Sequence, residues 1–194
     1  LSDDPGEARA LATRLAELNA ERREIEARMQ GEALAQVDSL VDSPEGSLPA
    51  GLCLYDDGWH QGVIGLVASR VKERVHRPVI AFAPGDPGWL KGSARSVPGL
   101  HVRDVLDAVA AHHPGLLEKF GGHAMAAGMT LRADRLGEFN AAFAQEVARA
   151  AGEDVLSGDL HSDGPLEAGG VNFHTAGPVR GGGPWGARVA EPAV

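Results

Sequence analysis

At 194 residues, with 43% hydrophobic side chains and only 5% aromatic ones, the chain can bury one ordinary domain core built mainly of Ala, Val, Leu and Ile. A single cysteine, Cys53, excludes a disulfide framework within the chain; no run is apolar enough to span a membrane and no signal peptide opens the chain, so the reading is of a cytoplasmic protein. The net charge of −9 speaks against nucleic acid until it is divided: residues 58–132 hold nine basic and five acidic side chains, a net of +4, while the flanking stretches are acidic.

The chain opens on Leu1 and ends on Pro192-Ala193-Val194, as expected of a piece of a larger protein. Asp3-Asp4-Pro5 has the form of a helix start. Leu11, Leu15, Leu18, Ile25 and Met29 then recur at helical spacing, with Arg22 in the one gap, and predict an amphipathic helix of seven or eight turns supported by Glu24 and Arg28 four residues apart. A helix of this length within residues 1–42 predicts a connector between domains, with a coiled-coil dimer as the alternative. Ser43-Pro44-Glu45-Gly46 reads as a linker. Leu52–Tyr55 reads as a strand in which Cys53 is a small buried hydrophobe. A helix follows over Val63–Val75, with Ile64, Val67, Ala68 and Val71 on one face.

Pro78–Ala83 reads as a buried strand and Trp89–Ser96 as its antiparallel neighbour across the Pro84–Gly88 turn. Val102–Ala111 predicts a helix, and Ala127–Leu131 a fourth strand. A last helix carries Leu136, Phe139, Phe143 and Val147 and is capped by Asp134. Together these predict an α/β (α+β) domain over residues 48–151, a mixed sheet flanked by helices. Residues 152–194 are rich in glycine and proline. They predict a linker and a partial β-rich segment, with Leu156, Leu160, Val171 and Phe173 as its strand residues.

Two motifs carry the chemistry. Lys91, Ser93 and Arg95 alternate along a strand and so project from one face. An ammonium, a hydroxyl and a guanidinium suit a phosphate, while Gly92 and Ala94 leave the other face smooth for a packed helix. The alternative is a solvated strand face whose basic residues blunt an edge. Gly121-Gly122-His123 heads a run of small residues, and consecutive N–H groups in a glycine turn can form an anion-binding concavity. The plainer alternative is a tight turn with a histidine cap. Trp59 and His60, in the loop before a helix, are cleft candidates, with tryptophan as a packing anchor the alternative. No spacing of carboxylates and histidines suits a two-metal centre, so no cofactor or metal and no catalytic residue is expected in this chain.

The ordered set Gly58-Trp-His-Gln-Gly-Val-Ile-Gly65, Ala68-Ser-Arg70, Arg77-Pro-Val-Ile80, Lys91-Gly-Ser-Ala-Arg-Ser96 and Lys119-Phe-Gly-Gly-His-Ala-Met-Ala-Ala-Gly128 resembles the RecJ-like exonucleases of the DHH phosphoesterase superfamily, over their DHH-associated domain. Residues 1–40 resemble the helix that joins that domain to the catalytic DHH domain. Gly183-Pro-Trp-Gly186 and Glu191-Pro192 resemble the segment beside the following oligonucleotide-binding fold, although Val189-Ala190 stands where the family usually shows Phe-Pro. The resemblance implies a single-stranded-DNA-specific 5′→3′ exonuclease of DNA repair and recombination, with Mn²⁺ or Mg²⁺ in the DHH domain. It implies that Ser93 and Arg95 hold the terminal 5′-phosphate, and that Gly122 and His123 face the catalytic domain. The expected partners are the 5′ end of single-stranded DNA and the DHH domain, with the protein a monomer. The rivals are a superfamily phosphoesterase for short oligoribonucleotides or cyclic dinucleotides, and a non-catalytic phosphate-binding module.

Overall fold

A computed structural model of the chain describes residues 4–42, 47–159, 169 and 172–181. The residues fall into two compact units, Leu1–Ser157 and Gly158–Val194.

The first unit begins with helix α1, Pro5–Val41. Asp4 accepts the Gly6 and Glu7 N–H groups at its start, and Pro5 occupies the first turn, where a missing N–H costs nothing. At 37 residues it is longer than the apolar spacing predicts. The seam also shifts: Met29, Ala33 and Val37 are buried, whereas Leu11, Leu15 and Leu18 are exposed. Among the described residues the helix is covered over its second half, and the apolar side chains of its first half stay exposed. Its ion pairs among the described residues include Arg14–Glu17, Arg22–Glu26 and Arg28–Glu32, the last in place of the expected Glu24–Arg28.

The sheet has the order β1-β2-β3-β5-β4. Its strands are β1 Leu52–Tyr55, β2 Val79–Pro84, β3 Trp89–Arg95, β4 Lys119–His123 and β5 Ala126–Arg132. Only β1 and β2 are parallel, joined through helix α2, Ile64–Val75; the other pairs are antiparallel. Burial on both faces makes β2 a continuous apolar run. Strand β3 alternates, with Leu90, Gly92 and Ala94 buried and Trp89, Lys91, Ser93 and Arg95 half-buried.

Two helix layers cover the sheet unequally. Helices α3, Val102–His112, and α4, Leu136–Ala150, form one core with Ile80, Phe82, Leu90, Ala94, Met129 and Leu131. Gly92 lets that core close: a Cβ there would lie 2.5 Å from the Phe82 ring and 2.7 Å from Met129. On the opposite face α1 and α2 pack on Leu52, Leu54, Val79, Ala81 and Ala83, the β1–β2 half of the sheet. The β3-β5-β4 half carries exposed or half-buried polar residues there instead, and that uncovered half-face is where the candidate site lies.

Phe139 is the pivot of the first core, edge-on to Phe82 at 5.7 Å and stacked on Phe143 at 6.0 Å. It is fully buried. Phe139→Ala should cost ~3–5 kcal/mol, transfer and cavity terms together. Urea unfolding checks this; a loss under ~1 kcal/mol would show that the core collapses around the gap.

Asp134 does not cap α4. A 3₁₀ turn, Ala133–Arg135, precedes the helix, and Asp134 makes two hydrogen bonds with the Arg132 guanidinium, which hold its carboxyl below the usual carboxylate range. Buried Glu146 accepts from Arg149 at 2.8 Å and lies 3.0 Å from His112 Nδ1, a structural use for a histidine at a helix end. Burial pushes the Cys53 thiol up, which keeps it protonated at neutral pH. Leu156 lies in a 3₁₀ turn, Glu153–Leu156. In the second unit Phe173 opens helix α5, Phe173–Gly181. Neither residue is in the predicted strands; Leu160, Val171, Gly183–Gly186 and Val189–Pro192 lie outside the described residues. Among the described residues no helix is long and apolar enough to cross a membrane.

Candidate nucleic-acid interface

In an antiparallel ladder, directly opposed residues project from the same face. The register therefore assembles a grid on the uncovered half-face. Lys91 opposes Thr130, which opposes Lys119; Ser93 opposes Gly128, which opposes Gly121; Arg95 opposes Ala126, which opposes His123. Rows lie ~6.8 Å apart along the strands and columns ~4.8 Å across them. The outer rows carry Lys91, Lys119, Arg95 and His123. The middle row is bare beyond Ser93: a Cβ at Gly128 or Gly121 would meet nothing within 4 Å. The two motifs, far apart in the chain, thus form one shallow trough with cationic ends and a backbone floor.

At one end Arg95 Nη1 donates to Ser93 Oγ at 2.9 Å and to the Ala94 carbonyl at 2.8 Å. These bonds hold the guanidinium flat against the strand. The first turn of α2 walls this end. A Cβ on Gly65 would lie 2.7 Å from Arg95 Nη2 and 3.1 Å from Ser93 Oγ, so a side chain there would push the guanidinium away. Helix α2 has no side-chain cap at its start, which leaves its N-terminal turn electropositive. A planar cation, a hydroxyl and a helix N-terminus converge on one spot, a combination suited to a phosphate monoester.

At the other end Lys91 Nζ donates to Thr130 Oγ1 at 3.3 Å. Trp89, with the Arg132 guanidinium 5.9 Å from its ring centroid, bounds this corner. Gly65, Lys119 and Gly128 end quoted motifs without being singled out as site residues, and Thr130 and Trp89 carry no local mark of a site in the sequence. Cross-strand register and helix packing bring them in.

The glycine motif is not the expected N–H turn. Gly121–His123 belong to β4 and pair with β5, which places them in a ladder rather than a concavity. Gly122 faces away from the trough with φ at +155°, and a Cβ on it would lie 2.3 Å from the Ala126 carbonyl oxygen. The hairpin tip is anchored: Ser96 N–H donates to the Met125 carbonyl at 3.0 Å and Val102 N–H to the Ala124 carbonyl at 2.9 Å. His123 Nδ1 accepts the Met125 N–H at 3.3 Å, leaving Nε2 as its donor on an exposed ring. The histidine thus caps the tip and still presents a donor at the edge of the grid.

Trp59 is a packing anchor and not a cleft residue. It is 4% exposed, and its indole N–H donates to Glu32 Oε2 at 2.9 Å, tying α1 to the loop before α2. An indole so buried cannot stack on a base. His60 is exposed beside it, with Nδ1 accepting the Gly62 N–H at 3.1 Å. Among the described residues no group of three or more His, Cys, Asp or Glu side chains could hold a metal ion.

The DHHA1 domain family matches residues 49–149, the mixed five-stranded sheet and its helices, and the chain belongs to it. Within that family it is RecJ-like. The single-stranded-DNA-specific exonuclease RecJ of Salmonella typhimurium is 49% identical over 192 residues, 99% of this chain and 33% of the relative. Crystal structures of RecJ from Thermus thermophilus, with Mn²⁺ and with Mg²⁺, each match with a TM-score of 0.64 at 34% identity over 77% of this chain, and 20% and 21% of theirs. The chain therefore spans about a third of the length of the curated relatives it matches.

Proposed function

We propose that this chain is the strand-gripping part of a RecJ-like, single-stranded-DNA-specific 5′→3′ exonuclease. In this reading Ser93 and Arg95 hold the terminal 5′-phosphate, and Gly121 and His123 border the strand. A DHH domain of the same enzyme carries the Mn²⁺ or Mg²⁺ and hydrolyses the phosphodiester. The work of the present residues is positional. A strand fixed by its end presents a set phosphodiester to the metal centre, which converts a diffusional encounter into a near-unimolecular one.

The observation that carries the reading is the convergence of Arg95, Ser93 and the uncapped start of α2 over Gly65. The likeness to RecJ enzymes supports single-stranded DNA as the ligand. The guanidinium can grip a terminal phosphate with two parallel hydrogen bonds, and a doubly charged monoester gains more from it than a hydroxyl end does.

Arg95→Ala should therefore weaken binding of 5′-phosphorylated oligodeoxynucleotides about 10- to 100-fold, the worth of charge-assisted hydrogen bonds. Binding of 5′-hydroxyl strands should fall less than about threefold. Fluorescence anisotropy across a salt series checks this. Equal losses for both strands would sink end recognition and leave only a general attraction to the backbone.

A further inference from the structure

We propose that the recess bounded by Trp89, Lys91, Thr130 and Lys119 takes the base of the 5′-terminal nucleotide, the one whose phosphate sits at Ser93 and Arg95. The inference rests on the end-gripping reading above and adds where the remainder of that first nucleotide lies.

The recess has the size of a single ring system. It holds about 170 Å³ and is lined by Asp86, Trp89, Lys91, Glu118, Lys119 and Thr130. Sites that enclose a whole drug-sized ligand run to about 300–1,000 Å³. Trp89 and Lys91 alternate with Gly92 and Ala94 and so share the sheet face of Ser93 and Arg95; Thr130 and Lys119 join them through the cross-strand register. Lys91 stands one row from Ser93, ~6.8 Å along the strand. That step is comparable to the reach, within one nucleotide, from the 5′ phosphorus across the sugar to the base. In the row of Ser93 itself, Gly128 and Gly121 bear no side chain, and a Cβ on either would meet nothing within 4 Å. The sugar therefore has room beside the phosphate. Its 3′ oxygen, and with it the scissile phosphodiester, stays off the sheet and free for the metal centre of the DHH domain.

Charge separates the two ends of the trough. In the recess the carboxylates of Asp86 and Glu118 offset the ammonium groups of Lys91 and Lys119, so no net charge draws a phosphate there. The Arg95 guanidinium bonds to Ser93 and the Ala94 carbonyl and, among the described residues, forms no ion pair, so its charge is left for the phosphate. The mixed lining suits the polar edge of a base. The carboxylates accept from its N–H groups, and the ammonium groups donate to its carbonyl or ring-nitrogen acceptors. The Thr130 hydroxyl, which accepts from Lys91 Nζ at 3.3 Å, still has its own proton to donate. Half-buried Trp89 adds an apolar wall, and contact between an indole and a base is sequence-tolerant because every base has a π-face. The Arg132 guanidinium, held by two hydrogen bonds to Asp134, lies 5.9 Å from the Trp89 ring centroid and steadies the ring. Each of the four bases carries donors and acceptors on its edge, so the recess admits any of them, as an enzyme that advances along arbitrary sequence requires.

The test uses the 194-residue chain and two kinds of probe: the four deoxynucleoside 5′-monophosphates, and the methyl glycoside of 2-deoxyribose 5-phosphate, which has no base. Titration followed by amide chemical shifts gives the affinities and the place of contact. Each nucleotide should bind about tenfold more tightly than the sugar phosphate, the worth of one stacked base, and the four should agree within about threefold. The amides of Lys119 and Thr130 should shift with the nucleotides and not with the sugar phosphate. Trp89→Leu should lose the gain while binding the sugar phosphate as before, and Trp89→Phe should keep it. Arg95→Ala should lower all affinities and keep their ratio. A gain that is absent from the native chain, or that survives Trp89→Leu with Lys119 and Thr130 unshifted, overturns the base recess and leaves end-gripping standing. A Trp89→Leu variant that weakens nucleotide and sugar phosphate alike does the same. A gain confined to one nucleotide overturns the tolerance that the mixed lining implies. Failure of the native chain to bind any of these phosphates overturns both readings.

Discussion

Gly128→Val should weaken strand binding and leave the fold intact. Gly128 lies at the centre of the grid, between Ser93 and Gly121, and is exposed. Nothing lies within 4 Å of a Cβ built there, and its φ is not positive, so valine meets no clash. Glycine weakens a strand interior and a β-branched residue suits it, so stability should hold or rise by up to about 1 kcal/mol. The isopropyl group would stand on the trough floor, beside Ser93, where the proposed end-gripping reading lays the strand. Affinity for single-stranded DNA should fall about 10- to 100-fold, because the terminal phosphate then lifts off Ser93 and Arg95. Thermal melting and anisotropy on one sample give the two readouts. A variant that binds as the native chain does would mean that the strand does not cross this floor.

Gly122→Ala should do the reverse and damage the fold first. Its φ of +155° is one that L side chains rarely adopt, and its Cβ would sit 2.3 Å from the Ala126 carbonyl oxygen and 2.5 Å from Ala127 Cα. Both obstacles are backbone of the paired strand, which cannot rotate aside. Strain and overpacking together should cost about 3 kcal/mol or more. The tip of the β4–β5 hairpin would have to shift, and with it the bonds from Ser96 and Val102 that anchor it and the seat of His123. Urea unfolding measures the loss. Gly121→Ala, one residue away with open space around it, is the control and should cost under about 1 kcal/mol. Equal costs at the two positions would show that the hairpin relaxes freely.

The pair shows why a Gly-Gly doublet resists reading by eye. The residues are adjacent, yet strand alternation sends them to opposite faces, one to keep a floor clear and the other to let two backbones approach. The expected concavity of N–H groups would have required a turn, and the β5 ladder claims these residues instead. Trp59 illustrates a second limit. Its place before a helix is legible, but its burial depends on Glu32, on a different helix and far back in the chain. Leu11, Leu15 and Leu18 illustrate a third, because apolar spacing reports what a helix could bury and not what covers it among the described residues.

Features with a local period were legible from the residues alone. The two-residue alternation of β3 puts Lys91, Ser93 and Arg95 on one side, and the apolar spacing of α2, α3 and α4 marks the faces that are buried in the structure. The motif order over residues 58–128 also carries the RecJ likeness. Tertiary packing had to settle that α1 and α2 cover half of one sheet face and leave the other half open. The same packing brought Lys119, Thr130 and His123 beside β3 from a distant part of the chain. Register between distant strands is set by hairpin anchoring and core closure, at Gly92, Gly122 and Phe139, and none of those constraints is expressed in the spacing of the residues that use it.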